Sequence, residues 1–107
     1  MKTEDSRAPA VLVMVVTIAP AHQSAFHDWY DREHIPELLR IPGIRSAARY
    51  DVEGEPDTFM AVYELDHAAV LDSEAFREWR RASRSTDRMA ALFSRSMRFV
   101  GTRRHAG

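Results

Sequence analysis

The 107-residue sequence predicts an α+β fold, the ferredoxin-like βαββαβ order of a four-stranded antiparallel sheet with its helices on one face. Three observations lead there. Four short segments (residues 11–18, 44–52, 58–65 and 96–103) have strand character. Helical stretches at about 21–33 and 74–83 separate the first strand from the second and the third from the fourth. The middle strands are joined by Glu53-Gly54-Glu55-Pro56-Asp57, a turn of hairpin length. In this topology strands one and three are central. They are also the more continuously apolar, whereas strands two and four alternate and carry Arg.

Each element has its own warrant. Val11-Leu12-Val13-Met14-Val15-Val16-Thr17-Ile18 is apolar on both faces, the mark of a strand covered on both sides. Ala19-Pro20 ends it. In the first helix Phe26, Tyr30, His34 and Leu38 are spaced four apart and share one face. Pro36 either kinks that helix or opens a short second turn, and Pro42-Gly43 stops it. In the second strand Ile44, Ser46, Ala48, Tyr50 and Val52 are expected on one face, with Arg45, Ala47, Arg49 and Asp51 on the other. In the third, Phe59, Ala61, Tyr63 and Leu65 oppose Met60, Val62 and Glu64. Asp72 or Ser73 can cap the second helix, whose inward residues are Phe76 and Trp79, with Ala75 beside them. Residues 86–93 read as a further short helix through Met89, Leu92 and Phe93. In the last strand Met97, Phe99 and Gly101 oppose Arg98, Val100 and Thr102. Residues 1–107 form a single domain with an ordered core of about 10–103, and residues 1–8 and 104–107 are expected to be loose.

Both helices cover one sheet face, yet the first strand is apolar on both. A second copy of the sheet is the natural cover, so a homodimer through the sheet face is expected. The absence of cysteine excludes disulfides, thiolate chemistry and Cys-type zinc sites. The longest apolar run is eight residues, too short to span a bilayer, and an acidic, Pro-containing segment precedes it; no membrane role and a cytoplasmic location are expected. The net charge of −1 hides an asymmetry: residues 1–66 are net −6 and residues 67–107 net +5. Arg77, Arg81, Arg84 and Arg88 share a helical face, but without interleaved aromatics or a recognition motif. With pI near 6.5, a solvated face, or one paired with the acidic first helix, is expected rather than a nucleic-acid site.

The densest chemistry lies in Phe26-His27-Asp28-Trp29-Tyr30-Asp31-Arg32-Glu33-His34-Ile35-Pro36. This run resembles the first-helix signature of the dimeric α/β-barrel superfamily, especially its EthD-like branch. Ile41-Pro42-Gly43-Ile44 and Ala48-Arg49-Tyr50 are similar to that family's loop and second strand. The resemblance covers roughly residues 11–103. It implies a homodimeric barrel of two ferredoxin-like sheets, with a helix–sheet pocket in each subunit. It implies that His34 is the acid/base of that pocket, as in methylmuconolactone-isomerase-type members, although the Cys those isomerases use is missing here.

The residue types agree. An imidazole takes and gives protons near neutrality. Tyr30, one turn earlier, can donate to a carbonyl or an enolate. Phe26, Trp29, Leu38, Phe76 and Trp79 are expected to wall a planar substrate. The plain structural readings stay open beside these: His34 as a helix-end hydrogen-bonding group, Tyr30 as a core residue with its hydroxyl paired, Trp29 and Trp79 as packing. Asp28, Asp31, Glu33 and Glu37 read as a solvated acidic face, partly paired with Arg32 and Arg40. His27 and Asp31 lack a third metal ligand, so no metal is expected. No cofactor is expected, with haem the minor alternative through His22, His27 or His34. The functional expectation is cofactor-free acid/base catalysis, by isomerisation, cyclisation or lyase-type enol chemistry, on a small planar carbonyl compound of secondary metabolism or aromatic catabolism. A non-catalytic small-molecule-binding or accessory protein and a cofactor-free monooxygenase are the alternatives.

Overall fold

The computed structural model describes residues 8–105; of the expected loose ends, residues 1–7 and 106–107 lie outside the described residues. The strands are β1 (Ala10–Ile18), β2 (Ile44–Asp51), β3 (Thr58–Leu65) and β4 (Phe93–Thr102). They form one antiparallel sheet in the order β2-β3-β1-β4, with the two most apolar strands at its centre. Leu12, Val16 and Ile18 of β1 and Ala61, Tyr63 and Leu65 of β3 are buried beneath the helices. Val11, Val13 and Val15 point the other way. The register aligns them with Met60, Val62 and Glu64 of β3 and with Met97, Phe99 and Gly101 of β4. Met97 and Phe99 are 38% and 53% exposed on that uncovered face.

The first helical segment is one continuous run of three pieces: α1 (Pro20–Trp29), a π-turn (Tyr30–His34) and α2 (Ile35–Leu38). The Ile35 N–H donates to the Tyr30 carbonyl five residues back. This corrects the expected end near Glu33, and of the two expectations for Pro36 it is the short second turn that forms, with Pro36 at the start of α2. Pro36 has no N–H, and in a regular α-turn its ring would crowd the carbonyl four residues earlier; a wide turn just before it relieves both problems. The wide turn also explains the spacing of the inward residues. In a regular α-helix each step of four rotates about 40° past a full turn. Phe26, Tyr30, His34 and Leu38 are nevertheless all buried on one side, because the π-turn takes up the excess.

Two further expectations need correction. The β2–β3 pairing shifts register between Ile44 and Ser46, a bulge that places Arg45 as the extra residue. Ile44 therefore turns inward and is buried, and does not share a face with Ser46, Ala48 and Tyr50. The last helix is also shorter than expected. A 3₁₀ turn (Ala68–Asp72) leads to α3 (Glu74–Ala82), capped by Ser73, whose Oγ accepts from the Phe76 N–H at 3.2 Å. A break at Ser83 (φ −81°, ψ 87°) separates α3 from α4 (Arg84–Ala90). Phe93, expected in the helix, instead opens β4 by pairing with Ile18 and setting its ring edge-on to Phe26. The break at Ser83 also splits the expected Arg face over two helices, where Arg80 pairs with Asp87 at 3.0 Å. No helix among the described residues is long and apolar enough to cross a membrane.

Candidate functional site

Between the helices and the inner sheet face lies a cavity of about 400 Å³. Its floor is Leu12, Met14 and Val16 of β1 with Tyr63 of β3. Trp29, Tyr30, His34 and Leu38 form one wall, Phe76, Trp79 and Arg80 another, and Ser96 and Arg98 of β4 the open side. A cleft of about 480 Å³ on another side of Trp79, lined by Glu37, Arg40 and Arg84, is more open and holds no imidazole. The helix–sheet cavity is the better site, because it alone of the two gathers buried titratable groups.

His34 is its central feature. The π-turn directs the ring inward, where it stacks on Trp29 (centroids 4.3 Å, 27° between planes) and meets Tyr30 edge-on at 4.8 Å and Trp79 at 5.5 Å. Its Nδ1 is buried and has no hydrogen-bond partner among the described residues. Burial first, and the positive charge of Arg80 second, lower its pKa to about 4. The imidazole is therefore neutral at pH 7, with a ring nitrogen unengaged by the protein.

Tyr30 takes the second of its two expected forms, a core residue with its hydroxyl paired. Its hydroxyl lies 2.7 Å from that of Tyr63, which is 1% exposed. Burial raises the pKa of both phenols, and the pairing raises that of Tyr63 further. Both stay protonated, and one hydroxyl donates to the other. Two hydroxyls carry two hydrogens and the internal bond uses one, so the pair retains one O–H to offer a ligand.

Beneath this wall Arg49 of β2 lies over the rings of Phe26 and Tyr30, 5.4 and 4.6 Å from their centroids. It donates to His27 Nδ1 at 2.8 Å and to Asp31 Oδ1 at 3.1 Å. Burial and Arg49 lower the His27 pKa. This network clamps α1 to β2 on the far side of Tyr30. His27 is thus engaged outside the cavity and His22 is exposed, so of the three axial-ligand candidates His34 alone lines the cavity. Among the described residues no three His, Asp or Glu side chains converge as a metal site.

Of the seven residues expected at the site, His34, Tyr30, Trp29, Leu38, Phe76 and Trp79 share the cavity wall. Phe26 does not: it is 1% exposed and packs against Tyr30, Phe59 and Phe93 in the core. Two members of the expected acidic face also have other partners. Asp31 takes Arg49, and Glu37 accepts the Trp79 indole N–H at 2.9 Å, fixing that ring over the cavity. Trp29 is fixed likewise by donation to Ser85 Oγ at 3.0 Å. Sequence reasoning missed Tyr63, Arg80, Ser96 and Arg98. The available signal was a polar group at inward register: Tyr63 pairs with Leu12, and Arg98 with Met14.

No family model and no curated protein matches the chain. Solved structures do. A Streptomyces coelicolor monooxygenase in complex with nanaomycin D is 15% identical, with TM-score 0.72 over 99% of this chain and 96% of that one. A dimeric ferredoxin-like protein from an uncultured marine organism is 12% identical, with TM-score 0.72 over 98% and 96%. An antibiotic biosynthesis monooxygenase is 16% identical, with TM-score 0.69 over 90% and 99%. The chain has the ferredoxin-like fold. At these identities the likeness extends to the fold alone, and none of the three carries the narrower EthD-like resemblance read from the first helix.

Proposed function

We propose that the protein is a cofactor-free monooxygenase acting on a small, flat, enolisable or phenolic molecule, with His34 as its base. The observation that carries this reading is the neutral, buried imidazole whose Nδ1 has no partner, stacked on Trp29 at the wall of an aromatic cavity. A His tied to backbone would suit an accessory protein; an unengaged one suits proton transfer.

The chemistry balances on the substrate's own electrons. His34 takes a proton from an activated methylene, and the hydrogen remaining on the Tyr30–Tyr63 pair supports the enolate oxygen. The carbanion adds O₂, forming a C–O bond, and the resulting peroxide anion takes the proton back from His34. Loss of water then leaves a ketone: R₂CH₂ + O₂ gives R₂C=O + H₂O. The lowered pKa makes free His34 a weak base, and an enolate beside it would raise that pKa by favouring the imidazolium. The same deprotonation begins isomerisation or cyclisation. Oxygenation takes precedence because monooxygenases are among the proteins that share the fold. A homodimer through the outer sheet face belongs to this reading, since Met97 and Phe99 extend the apolar face of β1.

The test is oxygen uptake with a panel of anthrones and dihydroxynaphthalenes, followed by ¹⁸O₂ labelling. One labelled atom should enter the product and one the water. His34→Ala should lose roughly 10²–10⁴ in rate, the usual contribution of a positioned base, and keep its circular dichroism. Binding without oxygen uptake would replace this reading with the non-catalytic one.

A further inference from the structure

We propose that the cavity selects an anionic ligand, a flat aromatic ring bearing a carboxylate or equivalent acidic group, with Arg98 and Arg80 receiving that group at the open side. The inference rests on the cavity reading above and narrows its substrate class. Its basis is the charge on the walls. Two guanidinium groups line the cavity, Arg80 from α3 and Arg98 from β4, and no Asp or Glu lines it. The rest of the wall is aromatic, aliphatic or neutral polar.

Placement supports this. Arg98 lies at the inward register of β4, paired with Met14 on the cavity floor, a position where an apolar residue would continue the core. Among the described residues it has no ion-pair partner. Arg80 is held by Asp87 through one nitrogen, Nη1, so its other donors remain available, and its charge is felt at His34. A ring set against the cavity faces of Trp79, Phe76 and Tyr30, with His34 already stacked on Trp29, would therefore carry its acidic substituent toward β4 and its reacting edge toward His34 and the tyrosine pair. An anion there also offsets Arg80 at the imidazole, which makes His34 a better base in the complex than in the free protein.

The experiment compares 2-naphthoate with neutral 2-naphthamide, two probes of the same shape. Each is titrated into the ¹⁵N-labelled protein while the indole N–H signals of Trp29 and Trp79 are followed. Naphthoate should bind at least about tenfold more tightly, the difference expected of a charge-assisted hydrogen bond, and should weaken as salt rises. Arg98→Gln, on an exposed edge strand, should bring the two affinities together, and Arg80→Gln should narrow the gap. Equal affinity of both probes in the parent protein, with no change in Arg98→Gln, would overturn the anion site and leave the cavity reading intact. Failure of both probes to move the indole signals would overturn the two together.

Discussion

Lowering the pH should destabilise this protein through His34 alone by an amount that can be worked out. The unfolded imidazole titrates at its ordinary 6.5, and the folded one at about 4. Between those values the unfolded chain holds a proton that the folded chain refuses, so stability rises with pH there. Above pH 6.5 both states are neutral at this residue and its contribution is flat. As the pH falls from 6.5 to 4, each unit removes about 1.4 kcal/mol, about 3 kcal/mol over the window. With a urea slope of roughly 1–1.5 kcal/mol per molar for a chain of this size, the midpoint should fall by about 2–3 M. His27, whose pKa burial and Arg49 also lower, adds a pH dependence of its own. The comparison is therefore with His34→Phe, which keeps a ring against Trp29 and cannot protonate. Urea melts of both proteins from pH 7.5 to 4.5, at one protein concentration, should converge in shape above 6.5. Below it the parent should lose stability faster by that difference. Parallel curves throughout would refute the reasoning: they would mean that the folded protein protonates His34 freely, by opening the cavity to water.

Other outcomes follow from packing and pairing. Tyr63→Phe leaves the buried Tyr30 hydroxyl without its partner and should cost about 1–3 kcal/mol in chemical denaturation, while lowering turnover through loss of the oriented O–H. Gly43→Ala places a methyl group into the Val70 side chain at a φ of +96°, where only glycine is relaxed, and should cost about 2–4 kcal/mol, read as a fall in Tm. Light scattering should give twice the 12.3 kDa chain mass, and Val13→Arg or Phe99→Arg on the outer sheet face should dissociate or unfold that dimer. A monomer at micromolar concentration would remove the homodimer from the proposed function.

What the sequence disclosed and what it concealed divide along physical lines. Apolar continuity placed β1 and β3 at the sheet centre, because a strand covered on both sides must be apolar on both. The spacing of Phe26, Tyr30, His34 and Leu38 disclosed the buried helix face, because side-chain direction follows chain position within one element. The Arg45 bulge stayed hidden: an inserted residue leaves the alternation intact and only moves Ile44 to the other side. The π-turn was half visible, since an unbroken spacing of four ahead of Pro36 calls for a turn wider than α. Phe93 was misplaced because its pairing with Ile18 and its packing on Phe26 are contacts between distant parts of the chain. Tyr63, Arg80 and Arg98 were missed for the same reason. Each lines the same cavity as His34 from another element, and although its inward position could be read within its own element, its meeting with His34 could not.

The two unusual features of the molecule have separate causes and can be separated by experiment. The outer sheet face is apolar because β1 is central and its Val11, Val13 and Val15 point away from the helices. Its Arg substitutions should act on assembly. The cavity exists because β4, at the sheet edge, offers Ser96 and Arg98 where the helices expect apolar partners, so the layers do not close over them. Its substitutions should act on ligand binding and on the titration of His34. β1 serves both faces at the sheet centre, with Leu12, Met14 and Val16 on the cavity floor and the alternate valines behind them, whereas β4 turns Ser96 and Arg98 to the cavity and Met97 and Phe99 outward at the sheet edge. If the dimer forms through that outer face, Val13→Arg should disturb both assembly and cavity through this one strand. Phe99→Arg, on the edge strand, should disturb assembly and leave naphthoate binding close to that of the parent. Equal loss of ligand binding in both variants would show that the cavity is completed by the partner subunit rather than by this chain alone.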